Sequence, residues 1–238
     1  MKRPAIHDFL ANPLSGPEIE ARSFAIIDRE APVHHFSAEE WEVVRRIIHT
    51  TGDFTSMTDI TFSPGAIVSA VTALRNGKMI YTDSNMIRSG ISLARLKAVY
   101  SGYARERIIC YVDNEEVVRK ATSQNLPRSF FAVQMAKSRL NGAIALFGNA
   151  PVALLEMNRL IIEDNIRPAL VVGMPVGFVH VRESKEELLS TGVPFIILAG
   201  RRGGSPLAVS VIHALCTIAG RNQEPENGTG AENRLSGQ

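Results

Sequence analysis

The chain has 238 residues, 45% of them apolar and 21% charged, with a formal net charge of +2. That is ample apolar sequence for one compact α/β domain with a buried core, and too little charge to argue for nucleic acid or an anionic membrane as partner. The two cysteines, Cys110 and Cys216, lie in apolar runs, which suits free thiols in a reducing compartment such as the cytoplasm better than a disulfide framework.

The N-terminal "MKRPAIHDFLANPLSGPEIE" has no continuous apolar stretch of signal-peptide length, and no window of the chain reaches membrane-span length. "SFAII" (23–27) reads as a strand. "SAEEWEVVRRIIH" opens with Ser37 and has Glu40 three residues on, a capping box, with Trp41, Val44, Ile47 and Ile48 on one face. It runs into His49-Thr50-Thr51-Gly52, where the glycine marks a turn. "DITF" (59–62) reads as a further strand, and Ser63-Pro64 opens a helix that stops at Gly77.

Five nearly continuous apolar runs follow, "KMIYT" (78–82), "RIICYV" (107–112), "AIALFG" (143–148), "ALVVGM" (169–174) and "PFIILAG" (194–200). Strands apolar at every position are buried on both faces, so the pattern predicts a three-layer α/β/α fold around a mainly parallel sheet of about five strands. Helices are expected at about 114–124, 128–140, 151–163, 183–190 and 205–219. Residues 1–219 form the domain in this reading, and 220–238, without hydrophobic period, a disordered tail.

Ligands of open parallel sheets bind outside the carboxyl ends of the strands. That rule selects Thr82-Asp83, Asp113-Asn114, "GNAP" (148–151), "GMPVGF" (173–178) and "GRRGGS" (200–205). Glycine turns before helix N-termini suit carboxylates or phosphates, although tight turns alone need the same residues. No Walker lysine and no G-x-G-x-x-G follows a strand, so the nucleotide reading rests only on glycine loops. No histidine pair has zinc-hydrolase spacing, and no metal site is expected. His34 and His35 read as solvated, His213 as packed in the last helix, and His49 as either a helix cap or a proton-transfer group. Arg22, Arg128, Arg201 and Arg202 fall in loops or at helix starts; they are solvated, or clustered to grip a polycarboxylate. Glu183-Ser184-Lys185 reads as the first turn of a helix.

In order along the chain, "IEARSFAII" (19–27), "RRIIHTTGDF" (45–54), "IYTDSNMIRSGIS" (80–92), "GNAPVALLE" (148–156), "GMPVGFV" (173–179), "ESKEEL" (183–188) and "GRRGGSPLAVSVIHAL" (200–215) resemble the precorrin-8X methylmutase family, with "HTTGDF" and "YTD" closer to its cobalt-precorrin-8 enzymes. The resemblance spans about residues 17 to 216. It implies an α/β/α homodimer that moves a methyl group from C-11 to C-12 of a corrin precursor, a formal 1,5-sigmatropic shift, without a dissociable cofactor; cobalt, where present, belongs to the substrate. It implies His49 as proton donor and acceptor at a ring nitrogen, and Ser23, Arg128 and Ser129 as substrate contacts. Arg22, Thr50, Asp83, Asn149, Arg201 and Ser205 are expected around the same polycarboxylate macrocycle. The chain departs from the family pattern at Pro127, Val152, His180 and His213, each of which changes a polar contact. A corrinoid-binding protein that no longer catalyses is the competing reading.

Overall fold

Successive residues of each central strand enter different cores, which explains why these runs are apolar throughout. Ile144 and Leu146 point to one side of the sheet and Ala145 and Phe147 to the other, as do Leu170 and Val172 against Val171. The computed structural model describes residues 3–221, so most of the expected tail lies outside the described residues; Gly220 and Arg221 themselves end the last helix.

The strands are β1 (Ile60–Phe62), β2 (Ile80–Thr82), β3 (Ile108–Ile109), β4 (Ile144–Phe147), β5 (Leu170–Gly173) and β6 (Phe195–Leu198). They form one sheet in the order β1-β6-β5-β4-β2-β3. All neighbours are parallel except β1, which pairs antiparallel to β6 with Ile60 opposite Leu198. The helices are α1 (Ile6–Ala11), α2 (Gly16–Glu30), α3 (Ala38–Thr51), α4 (Ala66–Arg75), α5 (Asn85–Gly90), α6 (Leu93–Val99), α7 (Glu115–Gln124), α8 (Arg128–Ala136), α9 (Pro151–Ile162), α10 (Val181–Leu188) and α11 (Ser205–Arg221). Residues of α3, α4, α5, α6 and α11 cover one face of the sheet, and residues of α8, α9 and α10 the other. The three-layer expectation holds, with β1 added to the five parallel strands. Among the described residues no helix is long and apolar enough to cross a membrane.

Two sequence expectations are overturned. Ser63 does not cap α4, which begins after Gly65, and its hydroxyl accepts the Phe195 N–H instead. "SFAII" is not a strand; it lies inside α2, which is started by a capping box between Ser15 and Glu18 with a proline in its first turn. Phe24 and Ile27, three residues apart, then share the face that packs on the core. The chain between β2 and β3 also holds two short helices that the periodicity did not reveal, each begun by a serine side chain, Ser84 accepting from Ile87 N–H and Ser92 from Arg95 N–H.

Candidate active site

The strand order reverses between β2 and β4, and the crevice there is the position where open sheets bind ligands. In this protein Asp83 fills it. The carboxylate, 1% exposed, accepts N–H groups of Gly148 at 3.2 Å, Asn149 at 2.8 Å and Ala150 at 2.7 Å. Burial pushes its pKa up to about 6, with the three N–H groups acting in the opposite direction. Asp83 therefore occupies the N-terminus of α9 in place of a ligand, and Asn149 is held there by its backbone while its side chain stays exposed.

The open cavity, about 340 Å³, lies beside this crevice between α3, α5 and α11. From α3 come Arg46, His49 and Thr50; from α5, Met86 and Gly90; from α11, Ser205, Pro206, Val209, Ser210 and His213, which fall on one helical face. Helix α3 is held at both ends. Ser37 and Glu40 form the expected capping box, and Gly52 closes the helix in the left-handed region at φ 66° with its N–H on Ile48 O at 2.7 Å. His49 thus sits in the last turn, an exposed side chain on a fixed backbone, with Phe24 of α2 edge-on at 5.2 Å between ring centroids. Thr50 donates its hydroxyl to Arg46 O at 2.8 Å, which leaves oxygen lone pairs for the cavity.

Charge around His49 comes from Arg46 on its own helix and from two residues distant in the sequence, Glu20 and Arg95. Arg46, buried, donates to Glu20 at 2.9 Å, and Arg95 reaches the same carboxylate at 3.4 Å. Burial raises the Glu20 carboxyl, but the Arg46 hydrogen bond and the charges of Arg46, Arg95 and His49 outweigh it and hold Glu20 below the usual carboxylate range. His213 accepts the Ser92 N–H at Nε2, 3.0 Å away. Neither Glu20 nor Arg95 carries a sequence signal of its own, because only the packing of α2, α3 and α6 joins them.

The loop before α11 is fastened from two sides. Lys185, 1% exposed, donates to the carbonyls of Gly200 at 3.0 Å and Arg202 at 2.7 Å, and burial lowers its pKa to about 8, with the charge of Asp59 opposing. Glu183 lies in the first turn of α10 as expected, and Lys185, on the same helix, is the buried tie to the loop. Arg202, read from sequence as either solvated or clustered to grip a polycarboxylate, is instead committed to Asp53, Thr55 and Asp59 in the segment after His49. Gly203 and Gly148 are there for closeness: a Cβ on Gly203 would meet Met174 O at 2.2 Å, and one on Gly148 would meet Ser205 Cα at 2.8 Å.

Of the expected site residues, His49, Thr50 and Ser205 line the cavity together. Ser205 meets Ser84 at 3.1 Å between hydroxyls, so the rim continues to the carboxyl end of β2. Ser23 and Arg22 are on α2, next to Phe24; the Ser23 hydroxyl donates to Ile19 O at 2.8 Å and Arg22 is exposed. Arg128 and Ser129 begin α8, one loop farther along the same sheet edge, with Arg128 3.8 Å from Asp113, which also receives the Asn85 amide. Arg201 is exposed, its guanidinium 5.3 Å from the ring centroid of Phe178. The four departures have distinct settings: Pro127 precedes α8, Val152 is half-buried in α9, His180 takes a left-handed φ of 58° before α10, and His213 is on the cavity wall. Among the described residues no group of three or more His, Cys, Asp or Glu could hold a metal ion.

Comparison with known proteins agrees with this architecture over nearly its whole length. A cobalt-precorrin-8 methylmutase of Leptospira interrogans is 44% identical over 217 residues, covering 88% of this chain and 96% of the relative. A precorrin-8X methylmutase of Pseudomonas aeruginosa is 37% identical, covering 85% and 95%. A crystal structure of a precorrin-8X methylmutase from Thermus thermophilus superposes with a TM-score of 0.80 at 42% identity, covering 87% of this chain and 98% of that one. The family model for precorrin-8X methylmutase matches residues 18–218, and the chain belongs to that family of isomerases.

Proposed function

We propose that this protein moves a methyl group from C-11 to C-12 of cobalt-precorrin-8 or its metal-free counterpart in cobalamin biosynthesis, with His49 as general acid and base. The observation that supports this reading is the placement of His49, an accessible imidazole on a fixed helix end at the wall of the cavity. Imidazole is the side chain whose proton moves near neutral pH. His49 gives a proton to a ring nitrogen, which draws electron density from the conjugated system. The methyl group leaves C-11 as its bond to C-12 forms, and the proton then returns to His49, so that the product is an isomer of the substrate. The cavity contributes by holding the macrocycle in the reacting geometry.

The substrate has several carboxylate arms, and in this reading the exposed cations Arg22, Arg128 and Arg201 pair with them. No dissociable cofactor takes part in this scheme, and cobalt, where present, arrives inside the substrate. A cavity of about 340 Å³ is at the lower end of the range for small-molecule sites, about 300–1,000 Å³. It encloses part of a tetrapyrrole and leaves the rest to the rim and, in this reading, to a second copy in a cytoplasmic homodimer.

The test is an anaerobic assay of purified, chelator-treated protein with metallated and metal-free precorrin-8, followed by visible spectra and mass spectrometry. An isomeric product of unchanged mass from at least one substrate is the expected result. Pigment binding with no conversion of either would make the protein a corrinoid carrier.

A further inference from the structure

His213 stands on the wall of the same cavity and has no part in the proton transfer assigned to His49. Its Nε2 accepts the backbone N–H of Ser92, the residue that caps α6, at 3.0 Å. An imidazole nitrogen that accepts an N–H holds a lone pair, so the single proton of the neutral ring resides on Nδ1. Protonating the ring would set two N–H donors against each other. Burial and two of the three charges that face it also favour the neutral ring. Burial is the largest influence, Arg95 from α6 and Arg46 from α3 add to it, Glu20 from α2 opposes it, and the pKa falls to about 4.

Apart from His49, the remaining polar groups of the cavity are arranged as acceptors or are already engaged. Thr50 and Ser210 donate their hydroxyls to carbonyls of their own helices, Arg46 O and Leu207 O, and Arg46 is engaged with Glu20. Among the described residues the Nδ1 of His213 has no hydrogen-bond partner, and it is not among the polar atoms sealed from solvent.

We infer that His213 is a substrate-binding residue: a neutral ring, locked by Ser92, whose Nδ1–H donates to a side-arm carboxylate of the macrocycle and so selects which arm enters between α3 and α11. No proton is transferred in this contact. The inference rests on the methylmutase reading only for the identity of the ligand.

Nitrogen-15 NMR of histidine-labelled protein tests the ring directly. The expected spectrum shows a protonated Nδ1 and an unprotonated Nε2 from about pH 5.5 to about pH 8, and saturating product pigment moves the Nδ1–H resonance. A proton on Nε2, a ring that titrates inside that window, or an Nδ1–H unmoved at saturation would overturn the proposal. In absorbance titrations with the product pigment, His213→Leu is expected to weaken binding about ten- to a hundredfold. His213→Asn, which keeps an acceptor for Ser92 and an N–H for the cavity, recovers most of that loss. Equal affinity of His213→Leu and the parent protein contradicts the assignment. The NMR measurement uses the unaltered protein and decides the matter even where His213→Leu does not fold. Both readouts report binding, so failure to turn over would count against the methylmutase reading and not against His213.

Discussion

A buried carboxylate that accepts three backbone N–H groups takes the place of an anionic ligand at a helix N-terminus, and Asp83 does this for α9. Its charge carries a cost that pH exposes. The folded-state pKa of about 6 stands above the ordinary 3.8, so between those values the folded protein binds more protons than the unfolded chain. Stability from this group therefore falls as pH rises from about 4 to about 6 and is level above that. At about 1.4 kcal/mol per pKa unit the full contribution is about 3 kcal/mol. Urea unfolding of the parent protein and of Asp83→Asn across this range should differ by that slope, and parallel curves would contradict the assignment. Asp83 was legible in the sequence as a polar residue after a strand, but not the direction it faces. His49 was legible as a helix-end histidine, and its chemistry came from the resemblance. Glu20 and Arg95 were not legible, because their link to Arg46 is made by tertiary packing.

Among the elements, the loop from Gly200 to Ser205 determines how α11 presents its cavity face. Lys185 supplies donors to two of its carbonyls. Lys185→Met leaves Gly200 O and Arg202 O without them, and a loss of about 1–3 kcal/mol is expected in chemical unfolding; a variant as stable as the parent would remove Lys185 from this role. Gly148→Ala would place a methyl group 2.8 Å from Ser205 Cα and 2.9 Å from Gly204 O. Those are backbone atoms that cannot rotate aside, so a cost of about 1–3 kcal/mol is expected, together with weaker pigment binding as Ser205 is displaced. An unchanged unfolding midpoint would show that the loop yields. Helices α3, α9 and α11 were evident from caps and apolar period, whereas α2 was misread over 23–27 because Phe24, Ile26 and Ile27 have strand-like character locally. The upstream capping box at Ser15 and the core contact of Ile27 decide for helix.

At the scale of the molecule, the parallel sheet was readable because strands covered on both faces are apolar at every position. The antiparallel β1 depends on its partner β6, more than a hundred residues away in sequence, and no local pattern shows such a pairing. The sheet edge that bears the site also exposes Phe178, 84% accessible, and Val179, 71% accessible, beside Arg201. A surface of this kind suits association of two chains. Light scattering should give twice the chain mass of 26.0 kDa, and Phe178→Asp should shift the population toward one copy; a monomeric parent protein would exclude the dimer. The central claim is that His49 moves the proton while the surrounding cavity binds the macrocycle. Single-turnover conversion of bound precorrin-8 by His49→Ala tests this most directly. Pigment affinity close to that of the parent, with the conversion rate reduced by about a hundredfold or more, is the expected result, and conversion at the parental rate would contradict it.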